Sequence, residues 1–319
     1  MSDLSLSETD LSLAPVHYSL LFFAGLFGLV FGSFLIVLIY RLPRGLSIVY
    51  PGSACPQCKS PIQARDNIPV LGWLLLRGRC RDCRAPISPR YAVVELLTGL
   101  LFVECLLQFG FSLGALKYCV FGFLILGLIF TDAELRLLPD AMTLPGLLLG
   151  LLFSILVAVS GPAYFLLTAA GLQKFAIVPP YPSVINSLLG ASLGAGFIYA
   201  VGAGYLCLRG IEGMGFGDVK LMGMVGAFLG VNLTLLTMMA ASIVGLAFGL
   251  ATILVVWLKR TRRLVGKKPA ARAAVRAWQS ARIVYRFYQI PFGVFLGAAA
   301  LIAVFAGGPA MEWYGGFFR

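Results

Sequence analysis

The chain has 319 residues, 60% of them hydrophobic and 12% charged, and a net charge of +12. Soluble domains average about 25% charged residues, so this composition and a mean hydropathy of +0.93 exclude an ordinary soluble domain and point to a multi-span membrane protein. In a soluble chain the positive surplus would suggest a nucleic-acid partner. Here the placement of the charges points to membrane topology, and no nucleic acid is expected.

Residues 1–18 are polar and acidic (Asp3, Glu8, Asp10) and lack the positive start of a secretory signal. They are read as an exoplasmic tail. The apolar run Ser19–Tyr40 exceeds the length of a signal core and is read as a retained transmembrane helix. A bilayer core of about 30 Å needs about 20 apolar helical residues. Further spans are expected at Tyr91–Phe109, Leu116–Thr131, Ala141–Ser160, Asn186–Leu208, Val219–Gly230, Leu233–Leu258 and Ile290–Ala306. The third and sixth spans are short. The predicted fold class is an all-α polytopic membrane protein of about eight transmembrane helices with a four-cysteine loop domain. Its divisions are the tail 1–18, the first helix 19–40, a loop 41–90, a transmembrane core 91–258, a basic loop 259–289, and the last helix with its tail 290–319.

Eight spans put both termini on one side, and the loops 41–90, 132–140, 209–218 and 259–289 on the other. Those loops, with Lys220 at their edge, hold 22 of the 25 Lys and Arg residues, leaving Lys117, Lys174 and Arg319. Positive residues stay in the cytoplasm, so the loops are expected there and both termini outside. The segment 259–289, basic with Trp, Tyr and Phe interspersed, is expected to lie on anionic lipid headgroups.

Cys55-Pro-Gln-Cys58 and Cys80-Arg-Asp-Cys83 are two C-x-x-C knuckles separated by 21 residues. Four thiolates at such spacing suit a closed tetrahedral zinc site. A reducing cytoplasm disfavours disulfides. A closed site has no position for substrate, so the zinc is expected to be structural and to supply folding free energy to a loop too small for a core. Cys105, Cys119 and Cys207 stand singly in apolar runs and are read as small buried hydrophobes.

Six of the 13 acids fall at or near the ends of apolar segments: Glu95, Glu104, Asp132, Glu134, Asp140 and Asp218. Ionisable residues at membrane depth are costly and mark function by default. Asp132 closes the third span. Asp218, in Gly213-Met-Gly215-Phe-Gly217-Asp218-Val-Lys220, opens the sixth. Two such aspartates from separate helices can meet at the cytoplasmic interface. A carboxylate pair a few ångströms apart shares one proton, so one member can deprotonate a water while the other polarises a scissile carbonyl. The structural alternative is that these acids cap helix ends or pair with Arg136 and Lys220; Asp140, after Pro139, suits a cap. The only histidine, His17, lies on the opposite side, so serine, cysteine and H-E-x-x-H mechanisms have no base or ligand.

These stretches resemble the type IV prepilin peptidases, within the G-x-G-D intramembrane aspartyl proteases. The motif Gly215-Phe-Gly217-Asp218-Val-Lys220 resembles G-x-G-D-x-K. Also similar, in order, are Gly32-Ser-Phe-Leu with Arg41-Leu-Pro, the paired knuckles, Arg90-Tyr with Val94-Glu95-Leu and Thr98-Gly99, Asp132 with Leu138-Pro139-Asp140, and Pro291-Phe-Gly. Ile36 replaces the usual Asn after Gly-Ser-Phe-Leu. The resemblance implies catalysis by Asp132 and Asp218, supported by Gly215, Gly217, Lys220, Pro139 and Asp140. It implies cleavage of the basic leader of prepilins or secretion pseudopilins after a glycine, at the bacterial inner membrane. It further implies N-methylation of the new terminus with S-adenosylmethionine, tied to the cysteine loop, Gly78 and Glu95. The reading from another class is a membrane transporter or scaffold with a proton-relay carboxylate pair.

Overall fold

A computed structural model describes residues 8–159, 181–210, 215–265, 278 and 291–316. Among these residues eight α-helices follow in order: α1 Glu8–Arg41, α2 Leu71–Leu75, α3 Arg90–Phe109, α4 Leu113–Leu135, α5 Asp140–Leu156, α6 Tyr181–Arg209, α7 Phe216–Val265 and α8 Phe292–Gly316. Among the described residues six helical segments are long and apolar enough to cross a membrane: Tyr18–Arg44, Arg90–Phe109, Leu113–Leu135, Tyr181–Arg209, Phe216–Leu264 and Phe292–Ala310. The helix Asp140–Leu156 is apolar but shorter. Among the described residues there is no β-strand, only two isolated bridges in the cysteine loop. Most of the basic segment (266–277 and 279–289), with Lys174, Gly213 and Arg319, lies outside the described residues.

Several boundaries differ from the sequence expectations. Helix α1 begins at Glu8, within the stretch read as a tail. The third span is not short. Ser112 caps α4 by accepting the Ala115 N–H at 3.2 Å, and Arg136, in the left-handed region at φ 55°, closes it by donating its N–H to the Asp132 carbonyl at 2.9 Å. The expected sixth and seventh spans do part where expected: at Gly230 (φ 72°, ψ −175°) the backbone leaves the helical conformation and divides α7 into two helices. That backbone conformation is open essentially only to glycine.

Helix α4 is central. It packs on α1, α3, α5 and α8, and α7 packs on α5, α6 and α8. The fully buried Phe121, Ile125 and Leu128 of α4 join Leu35 and Ile39 of α1, Met142 of α5, Leu221 and Phe228 of α7, and Leu296 of α8 in one core. The Phe121 and Phe228 rings lie 4.9 Å apart. Ile36 is buried among these apolar neighbours, so the missing Asn is replaced by packing.

In lipid, helix association relies on close van der Waals contact, which small residues permit. A Cβ at Gly32 of α1 would lie 2.7 Å from the Glu95 Cα of α3, and one at Gly190 of α6 would lie 2.6 Å from the Gly226 carbonyl of α7. The Gly-Ser-Phe-Leu stretch and the Val-Glu-Leu stretch are therefore two sides of one helix contact. Cys105 and Cys119 are not solitary, since their side chains meet between α3 and α4, and Cys207 is exposed rather than buried. Lys117, at the far end of α4, is fully buried.

Candidate active site and metal centre

The C-terminus of α4 and the N-termini of α3, α5, α7 and α8 converge at one end of the bundle. An ion pair between Arg90 and Glu134 fastens the start of α3 to the end of α4. Asp132 is in the last turn of α4 and Asp218 in the first turn of α7, each under 10% exposed. Leu138 links their surroundings, because Gly293, beside the Asp132 carboxylate, and Gly217, next to Asp218, both lie against its side chain. The two expected aspartates therefore share a site, although 85 residues separate them in sequence.

Backbone holds both. The Val294 N–H, in the first turn of α8, donates to Asp132 Oδ2 at 2.9 Å. The preceding Gly293 sits so near that a Cβ there would lie 2.9 Å from the same oxygen. Asp218 donates its N–H to the Gly215 carbonyl at 3.1 Å. Gly217 packs on Leu138, where a Cβ would come within 3.0 Å of the Leu138 Cβ. The Pro291-Phe-Gly stretch thus has a task that its sequence did not disclose, which is to seat the Asp132 carboxylate.

Asp140 is not the cap of α5. Pro139 occupies the cap position, without a side-chain hydrogen bond, and Asp140 is the first helical residue. Its carboxylate accepts from Lys220 Nζ at 2.7 and 2.8 Å. Lys220 is therefore engaged by Asp140 and is not the partner of Asp218. This ion pair ties the Leu-Pro-Asp stretch to the G-x-G-D-x-K stretch, with Lys220 two residues beyond Asp218.

The loop carries a second constellation. Cys55, Cys58, Cys80 and Cys83 bring all four sulfurs within 4.8 Å of one another. The Cys55–Cys83 and Cys58–Cys80 Sγ distances are 3.8 and 3.9 Å. Four thiolates about 2.3 Å from one zinc ion lie about 3.8 Å apart in a tetrahedron, so the donor set fits. The two knuckles are near-copies. Cys55 and Cys80 donate their N–H groups to Ser60 and Ala85, and their carbonyls accept from Lys59 and Arg84, both in the left-handed region. Each knuckle closes with one bridge, Ala54 to Pro61 and Arg79 to Pro86. Hydrogen bonds from Ser60 draw the Cys58 thiol down to about 6.

Glu95 and Gly78 bind this loop to the bundle and to itself. Glu95 is buried in α3, and its Oε2 accepts the Val70 N–H at 2.7 Å, tying the start of α2 to the membrane helices. Gly78 turns at φ 65°, and a Cβ there would lie 2.9 Å from the Trp73 ring, whose Nε1 donates to the Ile87 carbonyl at 3.1 Å. Arg81 makes a bidentate ion pair with Asp66, with Nε to Oδ2 at 2.7 Å, and its guanidinium holds the Asp66 carboxyl below its ordinary value.

Residues 26–109 match the Bacterial Peptidase A24 N-terminal domain, and residues 119–250 match the Type IV leader peptidase family. A relative from Aeromonas hydrophila named prepilin leader peptidase/N-methyltransferase is 33% identical over 94% of this chain and 94% of its own length. Relatives of the same name from Neisseria gonorrhoeae (34%, covering 77% of this chain and 84% of their own) and Klebsiella pneumoniae (38%, 69% and 90%) agree. No solved structure matches the chain. Both matched regions converge on the helix ends described above, and the match spans knuckles and aspartates alike: the chain belongs to the type IV leader peptidase family.

Proposed function

We propose that this protein is a prepilin leader peptidase and N-methyltransferase of the bacterial inner membrane. It would cleave the basic leader of type IV prepilins or type II secretion pseudopilins after a glycine and methylate the residue thereby exposed. The observation that carries the peptidase reading is the placing of two buried carboxylates, Asp132 and Asp218, by different helices at one end of the bundle on either side of Leu138. Hydrolysis adds one water across the scissile amide. One carboxylate accepts the proton of the attacking water while the other, protonated, polarises the carbonyl and passes its proton to the leaving amine. The Val294 N–H, donating to Oδ2, orients the Asp132 carboxylate for this exchange. Gly215 and Gly217 let the chain beside Asp218 approach an extended peptide, and Lys220 with Asp140 and Pro139 holds the two strands of the site in register.

Zinc, held by Cys55, Cys58, Cys80 and Cys83, would fold the loop without touching substrate. S-adenosylmethionine would supply the methyl group. Trp73, half-buried over Gly78, offers the aromatic face that attracts a sulfonium cation, and Glu95 keeps that segment against α3. Orientation follows the charge partition: loop 41–90 and the basic loop 259–289 in the cytoplasm, about eight spans, both termini outside. The transporter or scaffold reading has no internal repeat to support it.

The test is cleavage of a purified prepilin in detergent with S-adenosylmethionine, read by mass spectrometry. Wild type is expected to remove the leader and add one methyl group. Asp132→Asn and Asp218→Asn are each expected to lose activity by about 10²- to 10⁴-fold, the usual worth of a positioned acid or base. Near wild-type cleavage by either variant sinks the assignment.

A further inference from the structure

The loop contains a cavity of about 720 Å³ lined by Leu75, Leu76, Arg77, Arg79, Arg81 and Arg84. Residues 41–90 carry nine Lys and Arg against two acids, Asp66 and Asp82. One of those acids is taken by Arg81. Arg77, Arg79 and Arg84 are exposed and make no ion pair among the described residues. Three uncommitted guanidiniums around one cavity suit a phosphate, which matches their fork geometry. They disfavour a cationic ligand such as a sulfonium.

The apolar part of the lining narrows the source of that phosphate. Leu71, Leu74 and Leu75 of α2 are 55%, 54% and 76% exposed. A free anion has no use for leucines, whereas a phospholipid presents a phosphate beside apolar chains. Location agrees. The N–H of Val70, at the start of α2, is bonded to Glu95, which lies five residues into the membrane-spanning segment Arg90–Phe109. Five helical residues rise about 7.5 Å, so the start of α2 is held within about that distance of the end of this segment, at the boundary where headgroups meet acyl chains. The loop is also tethered there at both ends, by α1 and α3.

We propose that this arginine-lined cavity and the exposed leucines of α2 form a binding site for anionic phospholipid, which seats the cysteine loop on the membrane surface. The phosphate sits among Arg77, Arg79 and Arg84, and Leu71, Leu74 and Leu75 enter the acyl boundary.

Hydrogen–deuterium exchange of the full chain in lipid nanodiscs tests this. Residues 71–84 are expected to exchange about tenfold or more slowly in discs containing phosphatidylglycerol than in phosphatidylcholine alone, given the attraction of each arginine to an anionic surface. The triple variant Arg77→Gln, Arg79→Gln, Arg84→Gln is expected to lose that difference while residues 53–63 and 113–135 keep theirs. Should the variant lose protection at 53–63 as well, wild type in high salt decides. Screening to about 3 Å is expected to abolish the lipid effect, and its persistence would overturn the proposal. Equal protection in both lipids would also overturn it. So would protection in neutral discs on adding inorganic phosphate or S-adenosylmethionine, since the site would then belong to a soluble ligand.

Discussion

The cysteine loop and the helix bundle are stabilised by opposite means. The bundle has a continuous core from α1 to α8 and close helix contacts through glycine. Between Arg41 and Arg90 the loop buries only Cys55, Gly72 and Gly78. Its order rests on discrete bonds: two knuckles, one bidentate ion pair and the Glu95–Val70 hydrogen bond. The difference teaches that the two halves of a two-step enzyme can fail separately. A defect in the loop need not reach the aspartates, which are held by α4, α7 and α8.

The strongest way to break the comparison is to remove the metal. Chelation, or Cys58→Ser, is expected to release bound zinc and unfold residues 53–87, because a small metal-dependent module folds only with its ion. Limited proteolysis should then cut this loop while the bundle stays intact and prepilin cleavage persists. Loss of the whole protein's resistance would show that the regions are one unit. Next in size is Gly293→Ala. Its methyl must displace the Asp132 carboxylate, and a misplacement of that kind is expected to lower the cleavage rate by about 10- to 100-fold. Methylation of a pre-cleaved pilin should be unaffected. Equal loss of both activities, measured side by side, would count against separate sites.

Lys220→Ala comes third. Its pair with Asp140 is partly exposed, with Asp140 over half accessible. Such pairs are worth about 0–1 kcal/mol, so a few-fold fall in cleavage and a small shift in thermal midpoint are expected. Abolition of activity would mean that Lys220 contacts substrate. The smallest effect concerns Asp66. Its carboxyl is held below the ordinary 3.8 by Arg81, so the pair's contribution is full above about pH 4 and is lost as pH falls through the depressed value. Exchange at residues 64–84 should rise below pH 4 in wild type, and Asp66→Asn should remove that pH dependence.

What could be read in the sequence follows the range of the interactions. The knuckles were visible because each C-x-x-C is local and imposes its own turn, repeated at Lys59 and Arg84. The apolar helices were visible by length, although the capping by Ser112 and Arg136 extended α4 beyond its expected ends. The aspartates stand out as ionisable residues at helix ends on one side of the membrane, where they can meet, and the motif resemblance adds their catalytic role. The rest was invisible because it spans distance. Lys220 finds Asp140 across 80 positions, and Val294 finds Asp132 across 162. Asp140 looked like a cap because a Pro-Asp start is locally sufficient for one. Cys105 and Cys119 meet only once α3 and α4 have packed.

The break at Gly230 bears on the membrane itself. The fifteen residues 216–230 rise about 22 Å, and the seventeen residues of α5, packed against them, about 25 Å. Both fall short of a hydrocarbon layer of about 30 Å. Asp218 is therefore mounted on the shortest strut of the bundle, and the next shortest, α5, packs beside it. A protein with such a mismatch draws the surrounding leaflet inward, which lowers the water boundary towards the site without opening a channel. A hydrolase acting on an apolar helix gains a wet edge where its substrate arrives through oil. The same geometry makes the enzyme a gauge of bilayer thickness, with longer acyl chains expected to starve it of water.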